Sequence, residues 1–372
     1  MVVPYVNLIG QHKALKAEIL KAVEDVLDRA DFIMGKAVVQ FEEAFARYCS
    51  TQYAIGVNSG TDALFLSLKA LDIGPGDEVI TVPNSFIATV SAIVATGARP
   101  VLVDVEEDSF NIAPSLIEGA MTPQTKAIIP VHLTGRPANM KEIVKIAVHH
   151  GVHIIEDAAQ AIGAAHRGQR VGTFGILGCF SLHPLKNLSA CGDGGVIVTN
   201  SEKLYERINV LRKCGLKNRD ESPEFGYNSR LDTMQATILN VKFQHIDAWN
   251  QKRRENAHYY RENLGDVVMV PQEHEDETAV YHTYVIRAQS RDELKAFLQM
   301  QGIETKIHYP IPIHLQEAAG GLGYKVGDFP VTERHTDEIL SLPIYPELTA
   351  EQMDKVVRAI RNFYQSRISR SL

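Results

Sequence analysis

Short runs almost free of charge alternate with stretches of helical spacing through the first half of the chain. No other feature limits the fold as strongly. The runs fall at residues 53–57, 78–82, 100–103, 127–131, 152–157 and 196–198, and two of them read AIIPV and VHII. Strands that lack charge on both faces must be covered on both faces, as in a parallel sheet layered with helices. Between them, Leu64, Leu68 and Leu71 lie on one stripe of a helix over 61–71, and 140–149 repeats the helical period. This alternation predicts a doubly wound α/β sheet. Upstream, Leu15, Ile19, Val23 and Val26 predict a helix over 11–30, and Phe41 and Phe45 mark a second over 38–49. After Asn200 the pattern changes. A helix over 204–212 leads into a polar loop, 213–230, and then a long helical stretch from 231 to about 260. Strands near 281–287 and 305–308 follow. A capping box, Thr349 with Gln352, then opens a last helix with Met353, Val356, Val357 and Ile360 inward. The division expected is a large domain, 1–245, and a smaller C-terminal α+β domain, 246–372.

Composition excludes several classes of protein. The 372 residues are 45% hydrophobic and carry a formal net charge of -7, with no basic block, so nucleic acid is not an expected partner. No apolar run reaches the length of a membrane span, and the first residues, MVVPYVNLIGQ, do not read as a signal peptide. Cys49, Cys179, Cys191 and Cys214 show no Cys-x-x-Cys spacing, which fits reduced thiols in a cytoplasmic protein. His149, His150 and His153 read as a helix end before a strand, so no metal is expected.

The chemistry gathers at 179–200, CFSLHPLKNLSACGDGGVIVTN. Lys186 sits there in a short non-helical segment between two strand-like runs. A lysine held so that its amine is partly desolvated becomes nucleophilic; a solvated turn lysine is the plain alternative. Upstream, the run 152–157 ends on Glu156 and Asp157, where open α/β sheets place ligand groups. Asp157 also reads as a helix N-cap. Together, Lys186 and Asp157 suit pyridoxal phosphate (PLP): the lysine forms the Schiff base, and the aspartate pairs with the pyridinium nitrogen. Ser59 and Asp62 fit a capping box, and the N–H groups at that helix start, with the Gly60 turn, offer a phosphate site. Phe86, at a strand exit, could stack on a flat ring or fill the core.

These residues resemble a known family, the PLP-dependent nucleotide-sugar aminotransferases of the DegT/StrS type. The resemblance runs through most of the chain. It includes FIMG near Phe32, GVNSGTDAL at 56–64, GDEVITVP at 76–83 and PVHLTG at 130–135. It continues through IEDAAQA at 155–161, FSLHPLKNLSACGDGG at 180–195, GYNSRLDTMQA at 226–236 and IHYPIPIHLQ at 307–316. The resemblance implies the PLP-transferase type I (aspartate-aminotransferase) fold, with a mixed, mostly parallel sheet in the large domain. It implies Lys186 as cofactor lysine and proton shuttle, and Asp157 on the pyridine nitrogen. Gln160 would lie beside the ring and its hydroxyl, with Phe86 stacked on the ring. Gly60, Thr61 and Ser181 would hold the phosphate, joined by Asn228 from the other subunit of a homodimer with shared active sites. Arg230, His308 and Tyr309 would lie near the sugar or its diphosphate, and His183 would join this substrate wall. The family usually has an aromatic residue at His183, often LGA at 188–190, and an aromatic at Thr134; these departures bear on the substrate more than on the chemistry.

The activity so implied is transfer of an amino group from glutamate to a keto carbon of a nucleotide-linked deoxysugar. Pro-Val-His-Leu favours a C3-keto sugar on dTDP, with C4-keto sugars next. A sister group of sugar dehydratases has histidine in place of the lysine, and Lys186 argues against it. An aminocyclitol aminotransferase shares nearly every motif. A non-enzymatic regulator with a PLP fold is the reading from another class.

Overall fold

A seven-stranded sheet forms the centre of the structure, a computed structural model that describes residues 1–368. Its strands are β1 (Tyr53–Val57), β2 (Glu78–Thr81), β3 (Arg99–Leu102), β4 (Thr125–Ile128) and β5 (His153–Asp157), and, after a short hairpin, β8 (Leu177–Ser181) and β9 (Gly195–Thr199). The hairpin strands are β6 (Ala165–His166) and β7 (Gln169–Arg170). The order across the sheet is β1-β9-β8-β5-β4-β2-β3. Neighbours from β8 to β3 run parallel, while β9 is antiparallel to both β8 and β1. The sheet is therefore mixed and mostly parallel, as expected. Every residue of β8 and β9 is buried, which explains their uncharged sequences.

Helices cover the sheet. Phe41 and Phe45 of Lys36–Cys49 are fully buried and pack with Phe180 and Val196, while Leu64 and Leu68 of Gly60–Ala70 pack with Ile55, Ile155 and Ile197. The helix Leu8–Arg29 lies against Thr233–Phe243. β10 (Glu277–Thr278) pairs with β6, which ties the C-terminal part to the main sheet's surroundings. β11 (Tyr284–Arg287) and β12 (Ile339–Leu342) form a small antiparallel sheet. A separate apolar cluster surrounds it, built from Tyr260, Leu264, Leu294, Leu298, Val356 and Ile360, and Val3 joins that cluster from the other end of the chain.

Three expectations are corrected. The stretch 305–308 is not a strand; it makes one isolated bridge, Lys306 to Ser341. Pro310 and Pro312 follow at once and have no N–H to give a ladder. The long helical stretch from 231 is two helices, Thr233–Phe243 and Ile246–Leu264, broken at Gln244 and His245. The hairpin β6–β7 and the strand β12 were not expected, because their alternation is too short to register as a period.

Candidate active site

The site is built where β5 and β8 end side by side. Asp157 is the last residue of β5, paired in register with Cys179 of β8. Asp157 is 4% exposed, and its carboxylate accepts two neutral hydrogen bonds, from the Thr89 hydroxyl at 2.8 Å and from the backbone N–H of Ala159 at 3.2 Å. Thr89 is fixed in turn by the Ser85 hydroxyl at 2.8 Å. Burial raises the Asp157 carboxyl above the ordinary carboxylate range, against those hydrogen bonds and the charge of Lys186. A buried carboxylate without a cation in contact is costly, so the position suits a ligand that brings a positive N–H.

Lys186 lies beyond the end of β8, in a turn closed by its N–H to the His183 carbonyl at 2.8 Å. Burial pulls its amine from 10.5 down to about 8, against the attraction of Asp157. The turn itself is partly open, with His183 and Leu185 exposed and Lys186 half-buried. Gln160 connects two neighbours: its Oε1 accepts the Thr134 N–H at 2.8 Å and its Nε2 donates to the Tyr309 hydroxyl at 3.3 Å. Thr134 holds φ at 62°, a left-handed conformation costly for a β-branched residue. Phe86 is 54% exposed, so it is not a core residue; its ring lies 5.8 Å from that of Tyr309.

The helix start at Gly60 closes the other side. Ser59 caps it by accepting the Asp62 N–H at 3.0 Å. The expected box is half made, because the Asp62 carboxylate turns to the Ser229 hydroxyl at 2.7 Å instead. A Cβ on Gly60 would lie 2.7 Å from Ser181 Cβ, and one on Gly195 would lie 2.2 Å from the Ser59 carbonyl. The turn, Ser181 and β9 are thus in backbone contact, which leaves the N–H groups at 60 and 61 at the helix start. Ser229 is buried against this turn in the same chain, whereas Asn228 beside it is exposed and Arg230 is half-buried. His308 donates to or accepts from Ser341 Oγ at 2.9 Å; burial first, and the Lys186 charge second, bring it down to about 4. His183 is exposed.

The sequence family that matches residues 13–361 is the DegT/DnrJ/EryC1/StrS aminotransferase family. A relative from Geobacillus stearothermophilus, named pleiotropic regulatory protein, is 47% identical over 98% of this chain and 99% of its own. The dTDP-3-amino-3,4,6-trideoxy-alpha-D-glucose transaminase of Streptomyces venezuelae is 42% identical over 97% of this chain and 96% of its own. The crystal structure of S. venezuelae DesV superposes with a TM-score of 0.96 at 42% identity, covering 97% of this chain and 98% of that one. The chain belongs to the DegT/DnrJ/EryC1/StrS aminotransferase family. It is an aminotransferase, it has the aspartate-aminotransferase fold, and its cofactor is pyridoxal phosphate. The residues present fit that cofactor: a buried carboxylate lacking a cation, a lysine amine poised near neutrality, and a helix start packed too closely for a side chain at Gly60.

Several contributors carried no signal in the sequence. Thr89, held by Ser85 at 2.8 Å, is one of them, because its partner Asp157 lies 68 positions along the chain. Glu156 faces the opposite way from Asp157. It is fully buried and accepts the N–H groups of Gly172, Phe174 and Gly175 at 2.6, 2.6 and 2.7 Å. His132 Nε2 lies 3.0 Å from it, and because Nδ1 accepts the Ala138 N–H, Nε2 carries the proton and donates. The His132 N–H also donates to the Asp157 carbonyl at 3.0 Å, so this network sets the backbone from which Asp157 projects.

Proposed function

We propose that the protein transfers an amino group from glutamate to the keto carbon of a dTDP-linked 3-keto-6-deoxyhexose. The observation that carries this reading is the pair Lys186 and Asp157, an amine brought to about 8 and a buried carboxylate at adjoining strand ends. When bound, pyridoxal phosphate supplies the ring that takes up the electron pair released at the reacting carbon. Lys186 Nζ would bind the cofactor aldehyde and would serve as the base and acid that moves the proton at the reacting carbon. An amine near 8 can both take and give that proton close to neutral pH. Asp157 holds the ring N–H and its positive charge. Gln160, oriented by Thr134 and Tyr309, would hold the ring hydroxyl, and Phe86 would stack on the ring. Gly60, Thr61 and Ser181 hold the phosphate. His183, Arg230, His308 and Tyr309 form the sugar-diphosphate wall, whose binding lies away from the reacting carbon.

We further place the working protein in the cytoplasm as a homodimer, with Asn228 of each chain reaching the partner's phosphate. Its division is a large domain, 1–245, and a small one, 246–372. No helix among the described residues is long and apolar enough to cross a membrane. The name of the G. stearothermophilus relative favours a second reading, a regulatory role. One experiment separates the two. L-Glutamate should change the cofactor absorbance of the purified protein, and a 3-keto sugar nucleotide should restore it. Lys186→Ala should do neither, and borohydride should fix the cofactor to Lys186 of the wild type. An unchanged spectrum across dTDP- and UDP-linked 3-keto and 4-keto sugars would leave only the regulatory reading.

A further inference from the structure

The active-site reading leaves unused a cavity of about 70 Å³ on the side of Lys186 formed by the chain's N-terminal segment. Lys186, Arg253, His282 and Glu347 line it, with Tyr5 and His308. Arg253 is the unusual member. Four arginines of the described residues are nearly fully buried: Arg136, Arg212, Arg253 and Arg291. Three of them pair a carboxylate within hydrogen-bond distance: Arg136 with Glu277 at 2.7 Å, Arg212 with Glu42 at 2.5 Å, and Arg291 with Asp292 at 2.7 Å. Arg253 has no such partner. Its Nη1 donates to the carbonyls of Tyr281, His282 and Ile344 at 3.2, 3.4 and 2.9 Å, while its Nε is buried with no partner at all. Desolvation brings this guanidinium down to about 10, and Glu347 attracts it only from beyond ion-pair distance. A buried cation with no carboxylate in contact is costly unless something anionic satisfies it.

No other lining group meets that guanidinium in an ion pair, and Glu347 acts on it only at a distance. Tyr5 and Tyr345 are neutral, their hydroxyls raised by burial. His282 is held well below its ordinary value, first by burial and then by the charges of Lys186 and Arg253. Asn187 fixes its tautomer. The Asn187 amide donates to Asn250 and Val280, so its oxygen accepts from His282 Nδ1 at 3.3 Å and leaves Nε2 as an acceptor. His308 is neutral, and burial raises the Glu347 carboxyl. The cavity thus joins a desolvated, anion-seeking guanidinium to the wall formed by Lys186, and it has room for several water-sized groups.

We propose that this cavity is the carboxylate subsite of the amino donor, with Arg253 as the residue that takes the anion. The proposal rests on the transaminase reading, which requires a carboxylate-bearing donor to present its amine beside Lys186. Arg253 offers a planar fork suited to a carboxylate. Glu347 acts against the same ligand as a like charge on the cavity wall.

The test is calorimetric titration of the cofactor-loaded protein with glutarate, a dicarboxylate that has no amine and cannot react. Wild type should bind one glutarate per chain in competition with L-glutamate. Arg253→Gln should weaken binding at least tenfold, with dTDP affinity unchanged. Glu347→Gln should tighten it severalfold, a gain that mere damage to packing would not produce, and one that can be read even if Arg253→Gln fails to fold. Absence of glutarate binding to wild type, or no gain in Glu347→Gln, overturns the proposal. Because the readout is heat of binding, failure here is distinct from failure of the transaminase reading, which would appear as a cofactor spectrum unmoved by keto sugars.

Discussion

Burial gives Lys186 the reactivity that its proposed role requires. Its amine is drawn to about 8 by desolvation, with Asp157 opposing. The cofactor-free protein should therefore capture the aldehyde of pyridoxal phosphate with a rate that rises through about pH 8, where an unperturbed lysine would need pH above 10. A midpoint near 10, measured by stopped-flow absorbance, would show that the amine is not desolvated. The sign for stability follows from the same shift. Between about 8 and 10.5 the unfolded chain binds more protons at this residue than the folded one, so the penalty is full below that window and disappears as pH rises through it. Lys186→Met in the cofactor-free protein should accordingly raise Tm at pH 7 and lose that advantage by pH 11. Asp157 works in the opposite sense, as a carboxylate kept for a cation. Asp157→Ala should lower kcat about a hundredfold or more, about 3 kcal/mol, a scale typical of removing one preorganised electrostatic group. Turnover within a factor of three of wild type would remove it from the mechanism. Both residues were legible in the sequence because each ends or follows an apolar run. Thr89, His132 and Arg253 were not, because their partners are far away in sequence: Thr89 meets Asp157 across 68 positions and Arg253 meets Ile344 across 91.

At the scale of elements, the period of the pattern decided what could be read. Helices with a full apolar stripe, such as Gly60–Ala70 and Met140–His150, were placed within a residue or two. The capping box at the last helix is formed in both directions, Thr349 N–H to Gln352 Oε1 at 3.0 Å and Gln352 N–H to Thr349 Oγ1 at 3.2 Å. The box at Ser59 is half formed because Asp62 has another use, holding Ser229, and local spacing cannot show a partner so far along the chain. The antiparallel β9 was legible as a strand, but its direction was not, since direction depends on the path between strands. Its first residue meets the helix start: Gly195 runs within reach of the Ser59 carbonyl, and no side chain fits between them. Gly195→Ala must push the turn at 59–61 away from Ser181. The expected result is at least a tenfold loss of cofactor affinity by equilibrium dialysis, accompanied by a lower Tm. Unchanged affinity would mean that the phosphate is not held at this turn.

For the molecule as a whole, the loop 213–230 is the informative segment. It is polar and long, and ordering such a loop is costly unless contacts repay the lost entropy. Part of the stabilisation is internal: the Tyr227 N–H donates to the Leu211 carbonyl at 2.6 Å and the Ser229 N–H to the Arg212 carbonyl at 3.0 Å, while the buried Ser229 hydroxyl reaches Asp62. The end of the loop is therefore fastened to its own chain's helix start by Ser229. Asn228 beside it is exposed and, like Arg230, makes no side-chain hydrogen bond among the described residues. Phe225 is 99% exposed on the same loop, a cost in water that a partner surface would remove. In the proposed homodimer a second copy of the chain would supply such a surface and give Asn228 a phosphate to reach. Mixing subunits tests this arrangement. Lys186→Ala chains and Asn228→Ala/Arg230→Ala chains should each be inactive alone. In a mixed dimer with shared sites, one site collects both defects and the other is intact, so activity should return toward a quarter of wild type after random exchange. If each site is built from one chain, both sites of the mixed dimer stay defective. Mass spectrometry of the mixture would establish that exchange occurred, and silence of the exchanged dimer would confine each active site to a single chain.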